Sequence, residues 1–102
     1  MLMFMPMWRD LDLRHLLALD AVAAEGTFAR AAERLGYTQS AVSQQIAALE
    51  RTVGEKVFDR PRGPRAVELT PFGAELLRGG RDLLARVEAL ADDLDRFRTG
   101  QT

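Results

Sequence analysis

Apolar positions along this chain change their spacing several times, and each change marks an element. From Leu11 to about Glu25, LDLRHLLALDAVAAE carries Leu13, Leu16, Leu17, Leu19 and Val22 around most of a helical circumference. A helix of that kind is covered on more than one side. Gly26 ends it. In the next segment, FARAAERL, the residues Phe28, Ala31, Ala32 and Leu35 recur at helical spacing and define one buried face. Thr27 stands at its N-cap, where a hydroxyl can take a free backbone N–H, and Gly36 stops it. Only Tyr37 and Thr38 precede a third helix, which Thr38 caps. There Val42, Ile46, Leu49 and Val53 form one narrow stripe at about 100° per residue. Gly54 closes the element.

The period then becomes extended. KVF (56–58) and AVEL (66–69) are short β-prone runs around DRPRGPR, so two strands and a basic Pro/Gly loop read as a hairpin. Thr70 and Pro71 open the last helix, a capping residue followed by proline at the first helical position. This helix runs to about Arg98. Leu83, Val87, Leu90, Leu94 and Phe97 repeat at alternating spacings of four and three, and Leu76 extends the series across Gly80. That is a heptad seam. At about 1.5 Å per residue the helix is about 40 Å long, too long for so small a domain to cover. Gly79-Gly80 is the expected bend point.

Helix, glycine turn, helix and basic hairpin, in that order, predict a winged helix-turn-helix. The expected fold is mainly α, with three helices plus a two-stranded β wing followed by a long dimerisation or linker helix. Residues 1–11 are a flexible N-terminal extension, 12–70 the winged helix-turn-helix, 71–98 the linker helix and 99–102 a tail. The seam should pack antiparallel on that of a second copy, with the first helices contributing, in an isologous contact. His15 reads as a surface or dimer-contact residue.

Composition narrows the chemistry. With 14 basic and 15 acidic residues the net charge is -1, so any case for nucleic acid must rest on local charge. The chain has no cysteine and one histidine. Disulfides, thiolate metal sites and histidine clusters are therefore excluded, and a reducing cytoplasm is the simple reading. No catalytic set is visible, no cofactor or metal is expected, and GEKVFDRPRG lacks the strand–glycine loop–helix order of a nucleotide site. The N-terminal MLMFMPMW lacks a basic leader region, contains Pro6 and is too short to span a bilayer. It reads as an extension from an upstream start codon, or else Met5, Met7 and Trp8 pack on a neighbouring surface.

The face of the third helix opposite its apolar stripe holds Ser40, Gln44, Ala47 and Arg51, with Ser43 on the flank and Gln39 in the first turn. A helix that only faces water more often carries Glu and Lys. A helix that enters the major groove needs short or planar donors and acceptors, and Gln suits adenine N6/N7. The hairpin loop supplies Arg60, Arg62 and Arg65, which can reach phosphates or a narrow minor groove. On its own the Gln/Ser face fits a solvated surface better than a functional one. Three arginines on one loop favour duplex DNA over the alternative, a winged-helix protein-interaction module without DNA binding.

The segments DLRHLLAL, GTFARAAERLGYTQSAVSQQIAALE, VGEKVFDR and LTPFGAELL, in this order and spacing, resemble the N-terminal region of LysR-type transcriptional regulators over about residues 12–98. The resemblance implies sequence-specific double-stranded DNA binding by a dimer on an inverted repeat, with helix 38–53 in the major groove and wing 59–66 in the minor groove. By position, Gln39, Ser40, Ser43 and Gln44 match the base-reading residues. Thr27, Arg30, Thr38 and Arg60 match phosphate contacts. Arg65 best matches the minor-groove arginine, with Arg62 as runner-up. Many family members carry Pro at the place of Ser40 or Ala41 and Arg at that of Gln44, so base preference cannot be transferred. The wing is about two residues longer than the common form. The family's effector-sensing domain is absent from this chain, and the end at RTGQT leads us to expect an excised DNA-binding region rather than a natural short form.

Overall fold

The computed structural model describes residues 9–59 and 66–100. Four helices and one small hairpin follow in the order α1 (Leu13–Glu25), α2 (Phe28–Leu35), α3 (Gln39–Val53), β1 (Phe58–Asp59), β2 (Glu68–Leu69) and α4 (Pro71–Arg98). The strands are antiparallel, with Phe58 opposite Leu69 and Asp59 opposite Glu68. Every helix begins with a side-chain cap. Asp12 accepts from the Arg14 backbone N–H at 2.8 Å, so α1 starts later than its apolar pattern suggests. Thr27, Thr38 and Thr70 accept from the N–H groups of Arg30, Ala41 and Gly73.

The core lies where α1, α2, α3 and the start of α4 meet. Leu16, Leu19 and Val22 of α1 pack with Ala31 and Ala32 of α2, with Val42, Ile46 and Leu49 of α3, and with Leu77 of α4. The two alanines leave α2 no bulk on its inner face, which allows the close crossing of α3. Gly36, at φ 75°, turns the chain between them, a conformation that costs other residues strain. Phe58 closes the bottom of the core and meets Phe28 edge to face, with centroids 6.2 Å apart.

The run KVF was expected to begin the first strand, but pairing starts only at Phe58. Val57 is instead a fully buried anchor. Its N–H donates to Glu50 Oε2 at 2.9 Å, and its carbonyl accepts from Thr70 N at 3.0 Å. The Thr70 hydroxyl donates to the Lys56 carbonyl at 2.7 Å. Gly73 lies directly on the Val57 carbonyl, where a Cβ would come within 2.1 Å of the oxygen. The other side of the hairpin is held by Val67 N–H on the Gly26 carbonyl at 2.9 Å.

Helix α4 carries two adjacent stripes. Gly73, Leu77 and Gly80 are buried and Leu84 is half-buried against the core. Leu76, expected in the seam, is also half-buried against this core, because it lies on the border between the two stripes. The helix runs unbroken through Gly79-Gly80, the expected bend. What Gly80 provides is close approach, since a Cβ there would stand 3.3 Å from Leu16 Cδ2. Arg81 and Arg34 both reach Asp20, at 2.8 and 4.0 Å, linking α4 and α2 to α1. Such exposed pairs contribute little.

A Gly→Ala change in a helix normally stabilises by about 0.5–1 kcal/mol. Gly73→Ala should do the opposite, because the neighbour is backbone. We expect a loss at or above the upper end of the roughly 1–3 kcal/mol typical of overpacking, read from urea denaturation. A stabilised variant would contradict the close approach. The Arg14 side chain and backbone, bonded to the Asp12 carboxylate, lower its pKa to about 2. A depressed carboxyl pKa adds stability above the ordinary 3.8 that is lost as pH falls toward about 2. The Asp12 carboxyl should therefore titrate near 2 by NMR, and a midpoint near 4 would remove the pair.

Candidate nucleic-acid interface

Helix α3 is held from behind and open in front. Val42, Ile46 and Leu49 are fully buried, which fixes the rotation of the helix about its axis. On the other side Gln39, Ser40 and Gln44 are exposed and Ser43 is half-buried. Among the described residues none of these four side chains has a hydrogen-bond partner, so their donors and acceptors remain available. No charged residue occurs between Gln39 and Leu49. The face therefore presents hydrogen-bonding groups without a fixed sign of charge, as base edges require.

The cap hydroxyls differ in a useful way. A hydroxyl can accept and also donate. Thr70 does both, accepting from Gly73 and donating to Lys56. Thr27 and Thr38 each accept a backbone N–H, at 3.1 and 3.0 Å, and no described group receives their own O–H. Both also sit at helix N-termini, where backbone N–H groups favour an anion. They can therefore cap and donate outward at once.

The cations divide into two sets. Arg14, Arg34, Arg78, Arg81, Arg96 and Arg98 each pair with a carboxylate. Among the described residues Arg30, Arg51, Lys56 and Arg86 make no such pair and are exposed; the first three lie on or next to α2 and α3, and Arg86 lies out along α4. Arg30 lies beside the Thr27 cap, while Arg51 and Lys56 line a shallow depression with Ala47, Gly54, Glu50 and Glu55 at the far end of α3. Lys56 is absent from the sequence-based site, because KVF reads as strand and hides a cation placed beside the helix end. Glu50, which could have cancelled Arg51, is turned inward to the Val57 N–H.

Arg60, Arg62 and Arg65 lie outside the described residues, as do Met5, Met7 and Trp8. The strands that flank the loop are described, and their pairing sets Asp59 opposite Glu68. His15, expected at the surface or in a dimer contact, is half-buried, with a side chain 18% exposed and Nε2 4.0 Å from Asp12. Along α4, Leu83, Val87, Leu90, Leu94 and Phe97 stand exposed. Phe72 on α4 and Leu13 and Leu17 on α1 add to the exposed apolar surface. Sequence spacing missed Phe72, which lies one turn before Leu76. Among the described residues no helix is long and apolar enough to cross a membrane.

Residues 13–74 match the family model for "Bacterial regulatory helix-turn-helix protein, lysR family". The HTH-type transcriptional regulator IlvR of Caulobacter vibrioides is 46% identical over 92 residues, covering 90% of this chain and 30% of the relative. The HTH-type transcriptional regulator ArgP of Vibrio vulnificus is 45% identical over 86 residues, covering 84% and 26%. The chain thus spans less than a third of the length of these relatives. Among solved structures, the BenM DBD in complex with catB site 1 DNA superposes with a TM-score of 0.80 at 33% identity, covering 88% of this chain and 95% of that one. The CbnR DBD–DNA complex gives 0.74 at 33% identity, covering 88% and 98%.

Proposed function

The chain belongs to the LysR family of bacterial regulatory helix-turn-helix proteins, and from that membership we propose that it reads duplex DNA for a transcription regulator, with α3 in the major groove. One observation carries this reading: Gln39, Ser40, Ser43 and Gln44 are unbonded on a helix whose back is locked into the core. These four side chains contact base edges. Thr27 and Thr38 donate to phosphates, and Arg30, Arg51 and Lys56 supply charge along the same helix pair. Arg60 reaches a phosphate, and Arg65, with Arg62 second, enters the adjoining minor groove. The exposed face of α4 pairs two copies, so the preferred site is an inverted repeat. The solved DNA complexes of BenM and CbnR DNA-binding domains support DNA as the ligand.

The uncharged reading face and the flanking cations have separable tasks. Base contacts specify, while phosphate contacts add affinity on any sequence and set its salt dependence. Gln39→Ala should cost about 1–3 kcal/mol on the best site and change which base is preferred. Lys56→Ala should weaken all sequences alike and lower the salt slope by about one. Fluorescence anisotropy with specific and scrambled duplexes over a salt series reads both. Equal losses on both duplexes for Gln39→Ala would remove it from the base-reading set.

A further inference from the structure

The exposed seam of α4 has a hole at one end and a knob at the other. At the N-terminal end lies an apolar cleft of about 320 Å³ between α1 and α4, lined by Leu11, Leu16, Phe72, Leu76, Gly79 and Gly80 among others. The cleft is open because α4 offers no side chain at two successive positions, and a Cβ built on Gly79 would meet nothing within 4 Å. At the C-terminal end Phe97 is 76% exposed. An aromatic ring in water at one end of the helix and an open apolar cleft at the other are complementary features that one copy cannot bring together.

The charges select how two copies align. Leu83, Val87, Leu90, Leu94 and Phe97 occupy the core positions of the heptad. Gly79, Arg86 and Asp93 then lie along one edge, and Leu77 and Leu84 along the edge turned to the protomer's own domain. Arg86 and Asp93 line one surface groove together with Leu83, Val87 and Leu90. In an antiparallel pair, each edge meets the same edge of the partner. Sliding the helices by one heptad in one direction sets Arg86 on the partner's Arg86. Sliding them in the other direction sets Asp93 on the partner's Asp93. Only the alignment between these puts Arg86 against the partner's Asp93, and it does so twice by symmetry. Among the described residues Arg86 has no carboxylate partner, and Asp93 is held only by Arg96 on an exposed surface.

That same alignment stacks Val87 on the partner's Leu90 and Leu83 on the partner's Leu94. It brings the partner's Phe97 over Gly80, at the cleft. The knob and hole played no part in choosing it, so two separate observations agree. We propose that two copies of this chain pair antiparallel in this one register, fixed by reciprocal Arg86–Asp93 contacts and by Phe97 of each copy seated in the glycine cleft of the other. This rests on the reading that the exposed face of α4 meets a second copy.

Sedimentation equilibrium of the 102-residue chain at low ionic strength tests it, because salt screens exposed pairs. Arg86→Asp and Asp93→Arg should each weaken the dimer about tenfold or more by setting like charges opposite. The double variant should return to within about threefold of the parent. Phe97→Ala should also weaken the dimer about tenfold. All of these positions are exposed, so circular dichroism melting of the dilute variants should show an intact fold. Leu90→Asp, which is blind to register, should give monomers. If it does, and the charge-reversed double variant is no better than the singles, the register is wrong while the seam stands. If Leu90→Asp leaves the dimer intact, or the parent is monomeric at all concentrations, the seam reading fails and the register fails with it.

Discussion

Val57 is the point on which the structure depends. Its side chain is buried, its N–H is taken by Glu50 of α3, and its carbonyl receives Thr70 N–H and the bare face of Gly73 at the start of α4. One residue thus ties the reading helix, the base of the wing and the long helix to each other. Had the chain followed its strand propensity from Lys56 onward, Val57 would have been committed to a ladder instead. The half-buried Glu50 carboxylate and the Thr70 N–H replace the ladder bonds it gives up. The fixed relation between α3 and α4 follows. Under the proposed function it matters because the wing and α3 would address one duplex together, while α4 would set where a second copy stands.

Under the proposed function, α3 solves a problem of charge. A chain of net charge -1 has no general attraction to a polyanion, so its cations must be placed rather than numerous. In the body of the domain arginines are spent on Asp12, Asp20, Glu25 and neighbours along α4. Around α3 they are not: among the described residues Arg30, Arg51 and Lys56 make no salt bridge, although Glu50 and Glu55 line the same depression as Arg51 and Lys56. The groove-facing positions between them carry neutral amides and hydroxyls. Separating attraction from reading in this way leaves sequence discrimination to hydrogen bonds, which a lysine at the same position would blur.

Much of this was legible in the sequence because it is local. Thr27, Thr38 and Thr70 announce caps, Gly36 and Gly54 announce ends, and Val42, Ile46 and Leu49 fall at helical spacing on a single face. What was not legible depends on neighbours far along the chain. Lys56 and Val57 read as strand because the calls of Glu50, Thr70 and Gly73 on them arise only in the folded chain. Gly79-Gly80 read as a bend, since a helical glycine weakens a helix whatever its surroundings. Its use as a place where Leu16 comes close, and where a cleft remains, needs the packed pair of helices. Leu76 fits the heptad by number but stands on the border between two stripes, and its own domain takes it. The wing arginines lie outside the described residues, so their part rests on composition and family likeness.

The central claim is that this chain reads duplex sequence with α3. It is tested most directly by selecting bound duplexes from a random library with the 102-residue chain at moderate salt. The account predicts enrichment of an inverted repeat whose half-sites lose enrichment when Gln39 is changed. Recovery of duplexes with no sequence in common, at the level of nonspecific retention, would contradict it.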